Sequence, residues 1–391
     1  MLEQLDAQSP DALLALIKMH AQDPREDKID LGVGVYRTND GATPVFRAIK
    51  AAEQKLVDTQ DSKSYLGPEG DTGFVDALKP YIFGKDAAMG GRLEGMQTPG
   101  GTGAVRLAVA LSKAAGVQRV YLGTPSWPNH AQILEDVGVE TGTFRHAAPD
   151  GTADIDALLD VIANARASDA VLLHGCCHNP TGVDYTPEQW DRIADALADS
   201  GVLPILDVAY HGLGLGLEED VAGVRKVLAK VPEALVAYSC DKNFGLYRDR
   251  VGALYVMGAN TDDTARIMSN AASLARANWS MPPDHGGASV RIILQDEGLT
   301  GEWLAEVEEM RQRIGAVRAK LAEAGTAGAV DLTPLGAQKG MFAMLPVSKE
   351  QVQELREKHG VYMAGSGRIN VAGLTMGNID AFTDALAAVT G

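Results

Sequence analysis

Three apolar runs in the middle of the chain end in residues that could share one ligand. Run 202–206 leads into Asp207-Val208-Ala209-Tyr210. Run 170–173 leads into His174-Gly175-Cys176-Cys177-His178-Asn179-Pro180-Thr181-Gly182, and run 234–239 into Cys240-Asp241-Lys242-Asn243-Phe244. Ligand sites of open α/β sheets form at the carboxyl ends of strands, so a carboxylate, an amide and an amine placed there can converge. Apolar and aromatic residues follow Lys242 and would desolvate its amine, favouring the neutral, nucleophilic form. Asp207 at a buried strand end is costly unless it faces a cation; the plainer reading makes it a turn cap. Asn179-Pro180-Thr181-Gly182 reads most simply as a β-turn with Asn first and Pro second.

The segment 99–106, Pro-Gly-Gly-Thr-Gly-Ala-Val-Arg, precedes a helical pattern. Close-approaching backbone N–H groups and a helix start would suit an anion such as phosphate. The segment lacks both the third glycine of a dinucleotide fingerprint and the Gly-Lys-Ser/Thr of a P-loop. His174, Cys176, Cys177 and His178 invite a metal reading, but adjacent cysteines rarely reach one tetrahedral ion and no second Cys pair exists, so no metal is expected. Arg276 and Arg368 lie in contexts marked by proline or glycine, and a forked guanidinium is the preferred binder of a small carboxylate.

Those residues need a scaffold, and the pattern supplies an α/β one. Strands are expected over 119–122, 170–174, 202–206, 234–239 and 251–257, apolar without clean alternation, as in a parallel sheet covered on both faces. Helical patterns separate most of them; one starts at Thr186-Pro187-Glu188-Gln189, with a capping Thr, a Pro at the first position and a Gln three after the cap, and stops at Gly201. A further amphipathic helix is expected from Glu302 to about residue 324, roughly 35 Å long. The expected division is an arm and small-domain segment over 1–43, a large domain over 44–309 and a smaller α+β domain over 310–391. With 52 Asp plus Glu against 35 Lys plus Arg, the net charge is −17, which argues against a nucleic-acid track. No apolar stretch approaches the ~20 residues that span a bilayer. The start of the chain is acidic (Glu3, Asp6, Asp11), unlike a signal peptide. Three cysteines make no disulfide framework, so a cytoplasmic location is expected.

Taken together, these segments resemble the aspartate/aromatic amino acid subgroup of the class I aminotransferases, which use pyridoxal 5'-phosphate (PLP). The resemblance runs nearly end to end through Leu31-Gly-Val-Gly-Val-Tyr36, Tyr65-Leu-Gly67, Pro99-Gly-Gly-Thr-Gly-Ala104, Pro125-Ser-Trp-Pro-Asn-His130 and the 174–182 segment. It continues through Asp207-Val-Ala-Tyr210, Lys242-Asn-Phe-Gly-Leu-Tyr247, Arg250-Val-Gly252 and Gly367-Arg-Ile-Asn-Val-Ala-Gly373. It implies the type I fold of PLP-dependent transferases, a mixed, mostly parallel sheet flanked by helices with a smaller domain.

The resemblance also implies roles. Lys242 would hold PLP covalently and later shuttle a proton; Asp207, backed by His130, would keep the pyridine nitrogen protonated. Trp127 would stack on the ring, Asn179 and Tyr210 would bond its phenolic oxygen, and Gly101, Thr102, Ser239 and Arg250 would hold the phosphate, helped by a helix starting after Gly103. Arg368 would take the substrate α-carboxylate, with Gly34, Trp127 and Asn179 beside it. Tyr65 and Arg276 would reach the neighbouring subunit's site, the first at the phosphate and the second at a distal carboxylate, which implies a homodimer. The implied reaction moves an amino group from aspartate or aromatic L-amino acids to 2-oxoglutarate by a ping-pong route.

Two positions depart from the subgroup. Asp241 precedes the lysine where serine is usual, and a carboxylate near a phosphate is unfavourable unless it turns outward or is paired. Met281 replaces an asparagine common beside Arg276, making that wall apolar and adaptable and favouring aromatic substrates as well as dicarboxylates. Val35, Thr43 and Thr102 look like the aspartate branch. The rival readings are a PLP-dependent lyase or decarboxylase of the same fold, and a non-catalytic metal protein built on 174–178.

Overall fold

The computed structural model describes residues 2–7, 12–85 and 89–391; Asp11 lies outside them. The chain divides into two compact units, Pro44–Arg313 and Met1–Thr43 with Ile314–Gly391.

The larger unit is built on seven strands: β1 (Leu93–Pro99), β2 (Arg119–Thr124), β3 (Glu140–Arg145), β4 (Ala170–His174), β5 (Leu203–Val208), β6 (Ala234–Ser239) and β7 (Val251–Met257). Their order is β1-β7-β6-β5-β4-β2-β3. Only β7 runs against its neighbours; β6, β5, β4, β2 and β3 pair in parallel. Every residue of β6 and β7 is buried, which is why these strands read as unbroken apolar runs. Two strands were not legible in the sequence. In β3 only Phe144 is buried, as befits a polar edge strand. In β1, Gly95 and the buried Gln97 interrupt the apolar pattern.

Five helices matter for the site: α1 (Gly100–Ala114), α2 (Pro128–Val137), α3 (Pro187–Ser200), α4 (Thr261–Asn278) and α5 (Glu297–Glu323). The expected capping box of α3 is present: Gln189 N donates to Thr186 Oγ1 at 3.2 Å, Thr186 N donates back to Gln189 Oε1 at 2.9 Å, and Gly201 closes the helix at φ 71°. Helix α5 begins five residues before the expected Glu302, and the division between the units falls within it. No helix among the described residues is long and apolar enough to cross a membrane.

In the other unit, Ile29–Asp30 pairs in parallel with Val361–Tyr362, and Phe342–Met344 pairs antiparallel with Arg368–Asn370. Leu31, Val317, Leu321, Ile369 and Phe382 are among the residues of its own apolar core.

Candidate active site

The carboxyl ends of β4, β5 and β6 lie side by side because those strands are parallel neighbours in register: His174 is paired with Asp207, and Asp207 with Ala237. Strand β5 runs two residues further than expected, so Asp207 is a strand residue and not the cap of a turn. The start of α1 and Trp127, just before α2, close the same corner. The resulting pocket, about 430 Å³ of empty space, is lined by Gly101, Thr102, Trp127, Asn179, Asp207, Tyr210, Ser239 and Lys242, and also by His174, Ala209 and Asp241.

Each side chain is held by its neighbours. Asp207 is buried and Oδ2 lies 2.8 Å from Nε2 of the fully buried His130. Ser126 Oγ links onward, 3.0 Å from His130 Nδ1 and 3.4 Å from His174 Nε2. Asn179 Nδ2 donates to the Tyr210 hydroxyl at 3.2 Å, while its buried Oδ1 has no hydrogen-bond partner among the described residues. Lys242 Nζ lies 5.1 Å from the centre of the Tyr210 ring. Burial lowers the proton affinity of Lys242; Asp241 and Asp207 oppose this only in part.

The 178–182 turn differs from a simple β-turn. Its closing bond runs from Gly182 N to His178 O at 2.7 Å, one residue wider than expected, and the Asn179–Pro180 peptide is cis. The glycine-rich segment likewise needs correction: α1 begins at Gly100, not after Gly103, so Gly101 and Thr102 form its first turn. A Cβ on Gly101 would stand 2.8 Å from Ser239 Cβ, so only glycine lets α1 start this close to the end of β6. Arg250 and Asp241 form an ion pair at 2.5 Å in this corner. Asp241 therefore does not turn outward; it is paired.

Other expected site residues lie elsewhere. Tyr65 is 93% exposed and Arg276, at the end of α4, is exposed and bonded to Ser280, so neither lines this pocket. Gly34 and Arg368 belong to the other unit. There Arg368 Nη2 donates to Gly32 O at 2.9 Å, and its guanidinium sits 4.7 Å over the Phe342 ring. A Cβ on Gly34 would come within 2.9 Å of Phe342 Cζ.

Among the described residues, one cluster has metal-ligand geometry: Cys176, Cys177 and Asp220, with atoms within 4.8 Å. Its carboxylate is already engaged by the backbone. Asp220 already accepts N–H groups from Gly212, Gly214, Leu215 and Gly216. A bond from Cys177 favours the Cys176 thiolate, yet burial pushes that thiol up to about 11. The bond to Cys176 and burial both push Cys177 well above the usual range.

Residues 26–386 match the family model of the class I and II aminotransferases. The chain belongs to that family. This aminotransferase is similar to a tyrosine aminotransferase of Rhizobium meliloti (strain 1021), with 49% identity over 96% of each chain. Its identity with the aspartate aminotransferase of Escherichia coli (strain K12) is 42%, over the whole of both. Among solved structures, an aromatic-amino-acid aminotransferase from Burkholderia pseudomallei covalently bound to pyridoxal phosphate superposes with a TM-score of 0.95 at 33% identity, covering all of both chains. The fold is type I and the cofactor of the family is PLP. The pocket fits that group on its own geometry: a buried carboxylate, an amine of low proton affinity, an orphaned buried amide oxygen, and a helix N-terminus with Thr102, Ser239 and Arg250 nearby as an anion seat.

Proposed function

We propose that this aminotransferase transfers the amino group of aspartate and of aromatic L-amino acids to 2-oxoglutarate by a ping-pong route, as a cytoplasmic homodimer with shared sites. The observation that carries the reading is one pocket with two groups: Lys242, an amine kept from its usual charge by burial, and Asp207, a carboxylate at the end of the neighbouring strand. When bound, PLP supplies an electron sink that labilises bonds at the substrate's α-carbon. Lys242 would hold it covalently, and its amine, when free, would be the group placed to move a proton at the substrate α-carbon.

Asp207 would face the ring nitrogen as its counter-charge, and His130 restrains the carboxylate by its 2.8 Å contact. Trp127, which lines the pocket, would pack on the cofactor ring. Asn179 and Tyr210, bonded to each other at 3.2 Å, would meet the phenolic oxygen. Gly101, Thr102, Ser239 and Arg250 seat the phosphate at the start of α1. Arg368 binds the α-carboxylate next to Gly34. The partner subunit's Arg276 binds a distal carboxylate, and the partner subunit's Tyr65 reaches the phosphate; their exposure here leaves both available for that. The three cysteines are free and buried, in keeping with a reducing compartment.

Substrate breadth is assigned to Met281, whose flexible thioether beside Arg276 accommodates a ring or a carboxylate. Relatives named for tyrosine, aromatic amino acids and aspartate all match over nearly the whole chain, which favours breadth. Initial rates with aspartate and with phenylalanine, each against 2-oxoglutarate, test this. Parallel double-reciprocal lines for both substrates and no turnover in Lys242→Ala are expected. Product formed without 2-oxoglutarate would favour a lyase, and loss of either substrate would remove the dual assignment.

A further inference from the structure

The corner that seats the phosphate already holds an anion. Asp241 Oδ2 is 2.5 Å from Arg250 Nη1, and Asp241 is the deeper partner, with 7% of its side chain exposed against 38% for Arg250. Its other oxygen, Oδ1, is buried with no hydrogen-bond partner among the described residues, and the residue lines the pocket beside Gly101, Thr102 and Ser239. Asp241 N donates to Ser239 Oγ at 3.2 Å, and Arg250 Nη1 also donates to Tyr247 O at 3.1 Å. The guanidinium lies against the first residue of α1: a Cβ on Gly100 would stand 2.5 Å from Arg250 Nη2. One arginine thus faces a resident carboxylate and the place where α1 presents its N–H groups.

We propose that Asp241 is an internal competitor for the cofactor's phosphate: it holds Arg250 when the seat is empty and opposes the incoming anion when the seat fills. The inference rests on the reading of Gly101, Thr102, Ser239 and Arg250 as the phosphate seat. A serine at position 241 would offer the phosphate a donor, whereas the carboxylate offers only acceptors and a like charge. The ion pair stabilises the cofactor-free protein and lowers the gain on binding, so this chain releases and exchanges its cofactor more readily than a serine-bearing one.

The experiment uses cofactor-stripped full-length protein. PLP affinity is read by fluorescence quenching, and Tm is read with and without saturating PLP, for the natural chain and for Asp241→Asn and Asp241→Ser. Both variants should bind PLP about tenfold more tightly, the scale of relieving one close like-charge contact. Inorganic phosphate should also bind more tightly, and pyridoxal, which lacks the phosphate, about as before. The Tm changes should have opposite signs, falling without cofactor and rising with it. A merely structural role would lower both. Unchanged or weaker PLP binding in two folded variants overturns the inference. Arg250→Gln separates the two readings. If it leaves the preference for PLP over pyridoxal intact, the seat itself is misplaced. If it erases that preference while Asp241→Asn gains nothing, the seat stands and the competitor falls.

Discussion

His146 and His178 stack face to face, ring centroids 3.4 Å apart and planes inclined by 7°. The row continues through His174, 4.3 Å from His178, to His130, 5.0 Å from His174, and so reaches Asp207. His178 Nδ1 lies 2.8 Å from Thr181 Oγ1, and His146 Nε2 lies 2.8 Å from Val183 O. Stacked imidazoles in so dry a place must be neutral. Burial lowers His146 to about 4, and burial with the neighbouring rings pushes His174 and His178 well below the ordinary value.

An acid-stability prediction follows from that row. The unfolded chain takes up a proton on His146 near pH 6.5, but the folded chain resists until about 4. Between those values the unfolded state binds more protons, so stability is full above 6.5 and falls as pH drops toward 4. His146 alone accounts for a loss on the order of 3 kcal/mol. His146→Phe keeps the ring and removes the titration. Its Tm, followed from pH 7.5 to 4.5, should fall less steeply than that of the natural chain; equal slopes would refute the account.

Trp303 holds the segment that follows Lys242 from outside the pocket. Its indole N–H donates to Asn243 O at 2.7 Å and its ring stacks on Phe244, centroids 4.5 Å apart, so α5 clamps the two residues that follow Lys242. Trp303→Phe leaves a buried carbonyl without its donor and should cost about 1–3 kcal/mol. Thermal unfolding reads that loss. Steady-state kinetics should show kcat falling more than KM rises, because the amine and not the substrate contact is displaced. A change confined to KM would argue against this clamp.

The pattern of what the sequence revealed follows from burial. Strands β4 to β7 are covered on both faces and announced themselves as apolar runs, and their ends gave Asp207, Asn179 and Lys242 directly. Edge strand β3 buries a single residue and left no such trace. The partner of Asp241 was beyond reach because its ion pair joins positions nine apart through a loop, with Arg250 held at φ 57°, a conformation that no spacing rule encodes. His146 was missed for a similar reason: an isolated histidine shows nothing of a stack that forms only when the 146 and 178 segments meet. Tyr65 came from family resemblance alone, and Arg276 from a proline-marked context that names a carboxylate binder but not whose pocket it serves; both are exposed.

Gly34 gives a prediction about substrate affinity. It lies against Phe342, whose ring supports the Arg368 guanidinium at 4.7 Å. A methyl group at 34 would stand 2.9 Å from Phe342 Cζ and must push the ring aside. With Arg368 as the proposed binder of the α-carboxylate that every amino acid substrate carries, Gly34→Ala should raise KM severalfold for aspartate and phenylalanine alike. If only one substrate suffers, Phe342 acts on the side-chain pocket and not through Arg368.

The proposed sharing of sites between subunits makes a prediction that single variants cannot. Lys242 lines the pocket of its own chain, whereas Arg276 is exposed and donates to Ser280 close by in its own chain. In a symmetric dimer in which Arg276 serves the neighbouring pocket, a hybrid of Lys242→Ala and Arg276→Ala chains has one site lacking both groups and one site lacking neither. Each homodimer variant should be severely impaired on aspartate, while the mixture, unfolded together and refolded, should recover about a quarter of natural activity: half the dimers are hybrids and each has one intact site. Recovery must need both chains and must appear with aspartate, the substrate with a second carboxylate. A mixture no better than the sum of its parts would place Arg276 in its own chain's pocket or outside catalysis.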